Sequence, residues 1–393
     1  MLVLVAAPLN ARAATLELPK PQPVEKFLGK TATGSNYTVN PIVRSDGVMR
    51  IFDVDTSYGK FSFDGVEFTK LRLHELDAVA ALEKMSRSDA FVNAFGRAAM
   101  GPIEFGANLI TKPGDTVERS LNGISNMFDR VGAGLANNNA DRDHLFDSLL
   151  GVSDTQRALA VELDVDPYTD FPPLAQRLKE MAGAMAGGGL PVRAGLALVP
   201  GGVGIAVSSV ATVNSVKDTL RDKTAAQVIA EVRAILLSLD VSPEAAGRLV
   251  ENRNFTPADL LLMARALKQL NARNTEAFIE QAVGAGSRNA AFYQRRRTQI
   301  LAAHSAELGG IVSFVTIRGQ SINLVRNGNV VAAFMFDDIA WTEIQQRTFS
   351  AATAEIHRTS PGAIPVLATT GVVTPIAATA IRKLGWKVVQ LKP

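Results

Sequence analysis

The sequence predicts a mostly α-helical protein with two small β units. These are an N-terminal β-meander, a central helical domain and a C-terminal α+β domain ordered β-β-β-α-β-α-β. Three observations carry this reading. Residues 36–65 alternate apolar and polar with period two. From residue 66 to residue 308 the apolar period changes to three and four. From Ile311 the alternation returns, broken by Asn327-Gly328, a strong two-residue hairpin turn. A length of 393 residues suits two to three domains. Hydrophobic residues make up 47% and charged residues 20%, which permits a large core and excludes global disorder.

The chain opens on an apolar run, Met1 to Leu9, followed by Ala11-Arg12-Ala13. This matches the back half of a secretory signal peptide without its charged start. Residues 1–13 are therefore expected to be a signal remnant, cleaved after Ala13; a short buried strand or an apolar tail is the alternative. Residues 14–35 read as a linker, because Pro19, Pro21 and Pro23 bar a helix or a central strand.

The meander follows as Tyr37–Val43, Val48–Thr56 and Lys60–Asp64, with turns at Ser45-Asp46-Gly47 and Ser57-Tyr58-Gly59. Leu73, Leu76, Val79, Leu82 and Met85 then fall at helical spacing, predicting a helix over 66–85. A second helix starts near Ser86–Asp89 and carries Phe91 and Phe95.

Residues 101–135 read as short amphipathic helices with one apolar face. That face comprises Phe105, Leu109, Ile110, Leu121, Ile124, Met127 and Phe128, continuing from Phe91 and Phe95. Six glycines, together with Pro102 and Pro113, weaken its helix propensity. These nine apolar residues are the candidates for contact with a membrane or a partner.

Ser153 opens the next helix, Pro172-Pro173 another, and Gly187–Gly189 ends it. Residues 194–216 carry no charge, a length near a membrane span, but Pro200-Gly201-Gly202 breaks them. A buried hairpin is the reading; a membrane-inserting hairpin at 190–216 would make the protein toxin-like. Residues 224–305 are bundle helices, with Ser242-Pro243 and Thr256-Pro257-Asp259 as starts. The C-terminal strands are Ile311–Ile317, Gln320–Arg326, Asn329–Phe336, Pro365–Thr369 and Trp386–Leu391. Helices fill Thr342–Arg358 and the stretch from Thr374-Pro375 to Gly385.

Little of this suggests chemistry. The absence of cysteine excludes disulfides, thiolate metal sites and cysteine nucleophiles. A net charge of +3 is too even for a nucleic-acid binder. Gly29-Lys30-Thr31 resembles the end of a phosphate loop, but Val24 stands where its first glycine belongs. Gly202 and Gly204 lack the third glycine of a dinucleotide motif. His74, His144, His304 and His357 are too far apart to pair on one helix turn as metal ligands. Asn139, Asp141 and Asp143 begin like a calcium loop, but His144 and Leu150 occupy its required Gly and Glu positions. These residues, and Asp164, Asp166 and Asp170, read as solvated turns. His74-Glu75-Leu76-Asp77 reads as an exposed helix face, and Arg295–Arg297 as a solvated face or salt-bridge partners. No cofactor or metal is expected.

The most site-like feature is Thr369-Thr370-Gly371, a strand end leading to a helix start at Thr374, where free N–H groups attract anions. An enzyme there would need a convergent acid or base, with Asp337, Asp338 and His357 as candidates.

Several stretches together carry a resemblance: Tyr58–Ser62, Arg72–Leu76, Ser86–Phe91, Leu109–Val117, Val165–Thr169 and Gly385–Val388. They resemble a family of exported proteins of Gram-negative bacteria that carries no assigned activity. The resemblance implies export and an envelope setting. The expected function is thus a non-enzymatic periplasmic or envelope protein, touching a membrane surface or another envelope protein through its Gly-rich region.

Overall fold

A computed structural model describes residues 15–95, 151–188, 192 and 211–392. Within them the chain is largely helical, with strands at the start and a strand-and-helix region at the end, as expected at that level. The predicted signal remnant, the stretch 101–135, the loop 139–143 and most of 194–216 lie outside the described residues.

The N-terminal sheet is built around β4 (Arg50–Thr56). Along one side of it runs β5 (Gly59–Asp64), pairing Thr56 with Gly59 and Ile51 with Asp64. Its other side is shared by β2 (Tyr37–Val39) and β3 (Ile42–Ser45), all antiparallel. The proline-rich leader is docked on this sheet. Gln22–Pro23 forms an edge strand, β1, opposite Val43 and Ile42, where proline's missing N–H costs no ladder bond. Then α1 (Glu25–Leu28) and a short 3-10 turn seal one end.

Two apolar clusters organise the helices. One joins the N-terminal sheet to α2 (Val66–Ser86), α3 (Asp89–Phe95), α4 (Asp154–Glu162) and α5 (Pro172–Gly188). Leu76, Val79, Leu82 and Met85 of α2 are all within 1% of full burial, the face that the three-and-four spacing predicts. The second cluster joins α6 (Ala211–Asp222), α7 (Ala225–Leu237), α8 (Pro243–Val250), α9 (Pro257–Leu270), α10 (Thr275–Val283) and α11 (Arg288–His304) to the C-terminal sheet. Cap chemistry sets the starts. Ser153, Ser242, Ser287 and Thr256 each accept a backbone N–H from the first turn, and Asp259 returns the bond to Thr256 in a capping box.

The C-terminal sheet has the order β12-β10-β8-β7-β6. Strands β6 (Ile311–Ile317), β7 (Gln320–Val325) and β8 (Val330–Phe334) form an antiparallel meander. Then β10 (Pro365–Thr369) and β12 (Lys387–Gln390) add in parallel, each after a helix: α12 (Glu343–Thr359) and α13 (Pro375–Lys383). A small parallel pair, β9 (Asp338–Ile339) with β11 (Val372–Val373), extends the predicted order. Phe314 of β6 packs on Phe278 of α10. Ile317, three residues on, faces α12, as period-two alternation requires.

The two clusters meet at the 46–49 turn. The Val48 carbonyl accepts from Asp337 N and Asp338 N, and the Gly47 carbonyl from Ala340 N. Val48 and Met49 therefore pack in the C-terminal cluster although they belong to the N-terminal hairpin.

Candidate functional site

The strand end that the sequence singles out is closed. Thr369 is fully buried, and its hydroxyl accepts from Gly371 N. A Cβ on Gly371 would sit 2.1 Å from the Phe336 carbonyl oxygen, so glycine is needed for this close backbone approach. The Thr370 carbonyl accepts from the Gln390 amide. Thr374 caps α13 by accepting from Ala377 N, and its hydroxyl donates to Glu17 Oε2 at 2.6 Å. Trp341 N donates to the same oxygen at 2.7 Å. The position expected to attract an anion holds a carboxylate from the leader.

The candidate acids and bases do not converge there. Asp337 accepts from Arg50 N at 2.7 Å and from Val66 N, the first helical residue of α2. It acts as that helix's cap, since Gly65 has no side chain to do so. Burial pushes Asp337 up to about 7, although the Arg50 and Val66 amides pull it down. Asp338 pairs with Arg50 at 2.8 Å, both side chains almost covered. His357 lies exposed on α12.

Other expectations are corrected. The His74–Asp77 segment is not a solvated face: Glu75 is 2% exposed and accepts from Arg72 at 2.7 Å and from the Thr169 hydroxyl at 2.6 Å. The turn carboxylates are engaged as well. Asp164 pairs with Lys217, Asp166 accepts from Tyr168 N, and Asp170 takes both Arg72 and Arg288. The chain of charge runs on from Arg288 through Asp259 to Arg295. Burial raises Asp170, but Arg72 and Arg288 together hold it below the ordinary carboxylate value. Phe91 is 1% exposed and belongs to the first apolar cluster, so it is not open to a membrane or partner. Phe95 ends α3, and the remaining seven contact candidates lie outside the described residues.

The sequence gives no hint of the feature that remains, an apolar cavity of about 70 Å³ between α12 and the C-terminal sheet. Ile322, Ala332 and Phe334 form the sheet wall. Phe349 and Ala352 of α12 form the helix wall, and Trp386, just before β12, and Val48 of the N-terminal hairpin also line the space. Its polar neighbours are Gln320, Gln345 and Thr348, all uncharged.

Arg297 of α11 bridges β7 and β8, the two strands whose Ile322, Ala332 and Phe334 wall the cavity. Pairing between β7 and β8 is confined to Asn323–Val331 and Leu324–Val330. Beyond it, the Arg297 guanidinium donates to Ser321 O on β7 and, at 2.9 Å, to Ala333 O on β8. It replaces ladder bonds between splayed strands. It also donates to Gln281 Oε1 at 3.1 Å and lies 5.1 Å from the Phe334 ring centre. Arg297 is fully buried, and burial pushes its pKa down to about 10.

Among the described residues, no group of three or more His, Asp or Glu side chains is placed to hold a metal ion. Among the same residues, no helix is long and apolar enough to cross a membrane. No family model, curated protein or solved structure matches the chain.

Proposed function

We propose that this chain is a non-enzymatic, exported protein of the bacterial envelope that works by contact with a membrane surface or another envelope protein. The observation that carries the reading is the fate of the candidate reactive groups. Thr369, Thr374, Asp337 and Asp338 are each committed to a cap, a strand end or an ion pair that holds the fold. A general acid or base has to reach a substrate proton in a cleft, and these side chains already serve as internal acceptors.

The contact element in this reading is the Gly-rich stretch 101–135, whose sequence supplies an apolar face with few cations. Lys112, Arg119 and Arg130 are opposed by Glu104, Asp115, Glu118 and Asp129, so attachment rests on apolar area rather than on charge. The export half of the reading rests on the apolar start and the Ala11-Arg12-Ala13 pattern.

Co-sedimentation with liposomes of neutral and of anionic lipid tests the contact. Binding that survives high salt and is lost on deleting 101–135 is expected. Binding to neither, together with no captured envelope protein that depends on 101–135, would overturn it. Fractionation of the producing cell tests export, with the mature chain expected outside the cytoplasm.

A further inference from the structure

We propose that the cavity between α12 and the splayed strands β7 and β8 is a binding site for a small, uncharged apolar molecule, about the size of a single aromatic ring or a short alkyl chain. The inference stands on the cavity alone and not on the envelope reading.

Size sets the first limit. A water needs roughly 10–15 Å³ of such space, so 70 Å³ holds about five to seven heavy atoms, the size of one six-membered ring. Cofactor sites occupy roughly 300–1,000 Å³. Polarity sets the second. Aliphatic and aromatic side chains make most of the wall, and no charged side chain lines it. An ionised ligand would lose its hydration without gaining a counter-charge there.

The cavity is also held open at a cost, which separates it from a chance packing gap. Native cores leave few voids. Here Ala332 of the strand and Ala352 of the helix both line the space, where larger aliphatic residues would fill it. Two strands are kept apart by a fully buried guanidinium whose bonds go to carbonyl and amide oxygens. Burying a cation without a carboxylate is unfavourable, and closing the ladder between β7 and β8 would avoid it. An entrance lies beside α12, where Ile344 and Thr348 are exposed next to the β6–β7 turn.

The test uses the full chain with benzene as the probe, read by thermal shift and by calorimetry. Saturable binding with one site per chain is expected. Ala332→Leu should weaken it at least tenfold while the melting temperature of the free protein stays level or rises. Ala352→Leu fills the same space from the helix side and gives the same reading if the strand variant fails to fold. Benzoate and benzylamine should bind at least tenfold more weakly than benzene. Absence of saturable binding to the wild type, or unchanged binding in folded filled variants, would overturn the site. Equal binding of benzoate would overturn its preference for an uncharged ligand.

Discussion

The N-terminal half of α11 and the turn that follows it bury arginine in opposite ways. Arg288 and Arg295 join a chain of alternating charge with Arg72, Glu75, Asp170 and Asp259, in which every guanidinium meets a carboxylate. Arg297, two residues further on, faces the C-terminal sheet and bonds carbonyl oxygens of two strands, an amide and the faces of Phe278 and Phe334. The first arrangement fastens two packing units through mutual neutralisation. The second spends a buried cation on holding strands apart. The difference teaches what each arginine is for. Removing a member of the first group orphans a charge, whereas removing Arg297 orphans only neutral acceptors.

The largest expected effect follows from that asymmetry. Arg72→Met leaves Glu75 buried without its cation, which costs about 3–5 kcal/mol. Urea unfolding of wild type and variant measures it, and adding Glu75→Leu should recover most of the loss. A cost below about 1 kcal/mol would mean that the network is already solvated, and the contrast with Arg297 would collapse.

Arg297→Met comes next. It keeps much of the apolar stem and leaves Ser321 O, Ala333 O and the Gln281 amide to find other partners. The expected cost is about 1–3 kcal/mol, below that of Arg72→Met in the same urea series. A larger cost would show that the guanidinium holds the sheet together and does not merely prop it open.

What the sequence makes legible divides along the same line. Local chemistry is readable. Thr256-Pro257-Asp259, Ser242-Pro243 and Thr374-Pro375 cap helices as expected, and Asn327-Gly328 joins β7 to β8. Long-range pairing is not. Glu75 looks like part of a polar helix face because its covering partner, Thr169, lies 94 residues away. Asp170 looks like a turn residue because Arg72 and Arg288 approach it from 98 and 118 residues away. Asp337 and Asp338 invite a catalytic reading because their donors, Arg50 and Val66, come from the opposite end of the chain. The cavity leaves no periodic trace at all. Its lining alanines, Ala332 and Ala352, stand beside Ala333 and Ala351, so nothing in the residue pattern singles them out.

The meeting of the two units gives a pH prediction. Asp64 ends β5 with Oδ1 enclosed. Burial pushes it from an ordinary value near 3.8 up to about 7, and the charges of Asp46 and Asp53 reinforce this. Arg44 and a bond from Asn289 oppose it. Its pKa is thus higher folded than unfolded, so the folded state binds the proton more tightly. The stability this contributes is full below pH 4 and is lost as pH rises through 7. The melting temperature should fall by a few degrees between pH 5 and pH 8, and Asp64→Asn should shrink that fall. An unchanged slope in the variant would assign the pH dependence to Asp337, pushed up to about 7 in the same joint.

The smallest effect probes whether the leader fastens the C-terminal unit as the arginine network fastens the N-terminal one. Thr374→Ala removes a helix cap, worth about 1 kcal/mol. It also removes the hydroxyl that donates to Glu17. Glu17→Gln keeps an acceptor for that hydroxyl and for Trp341 N but removes the charge beside the α13 N-terminus, where a carboxylate gains about 0.3–1 kcal/mol. If the leader is a true fastening, both variants should speed proteolysis after Lys20 as well as lower stability, because the strap lifts before the domain unfolds. Thr374→Ser should restore both properties. Lower stability with unchanged cleavage would mean that Thr374 serves its own helix alone, and that pairing of Gln22–Pro23 with β3 suffices to hold the leader down.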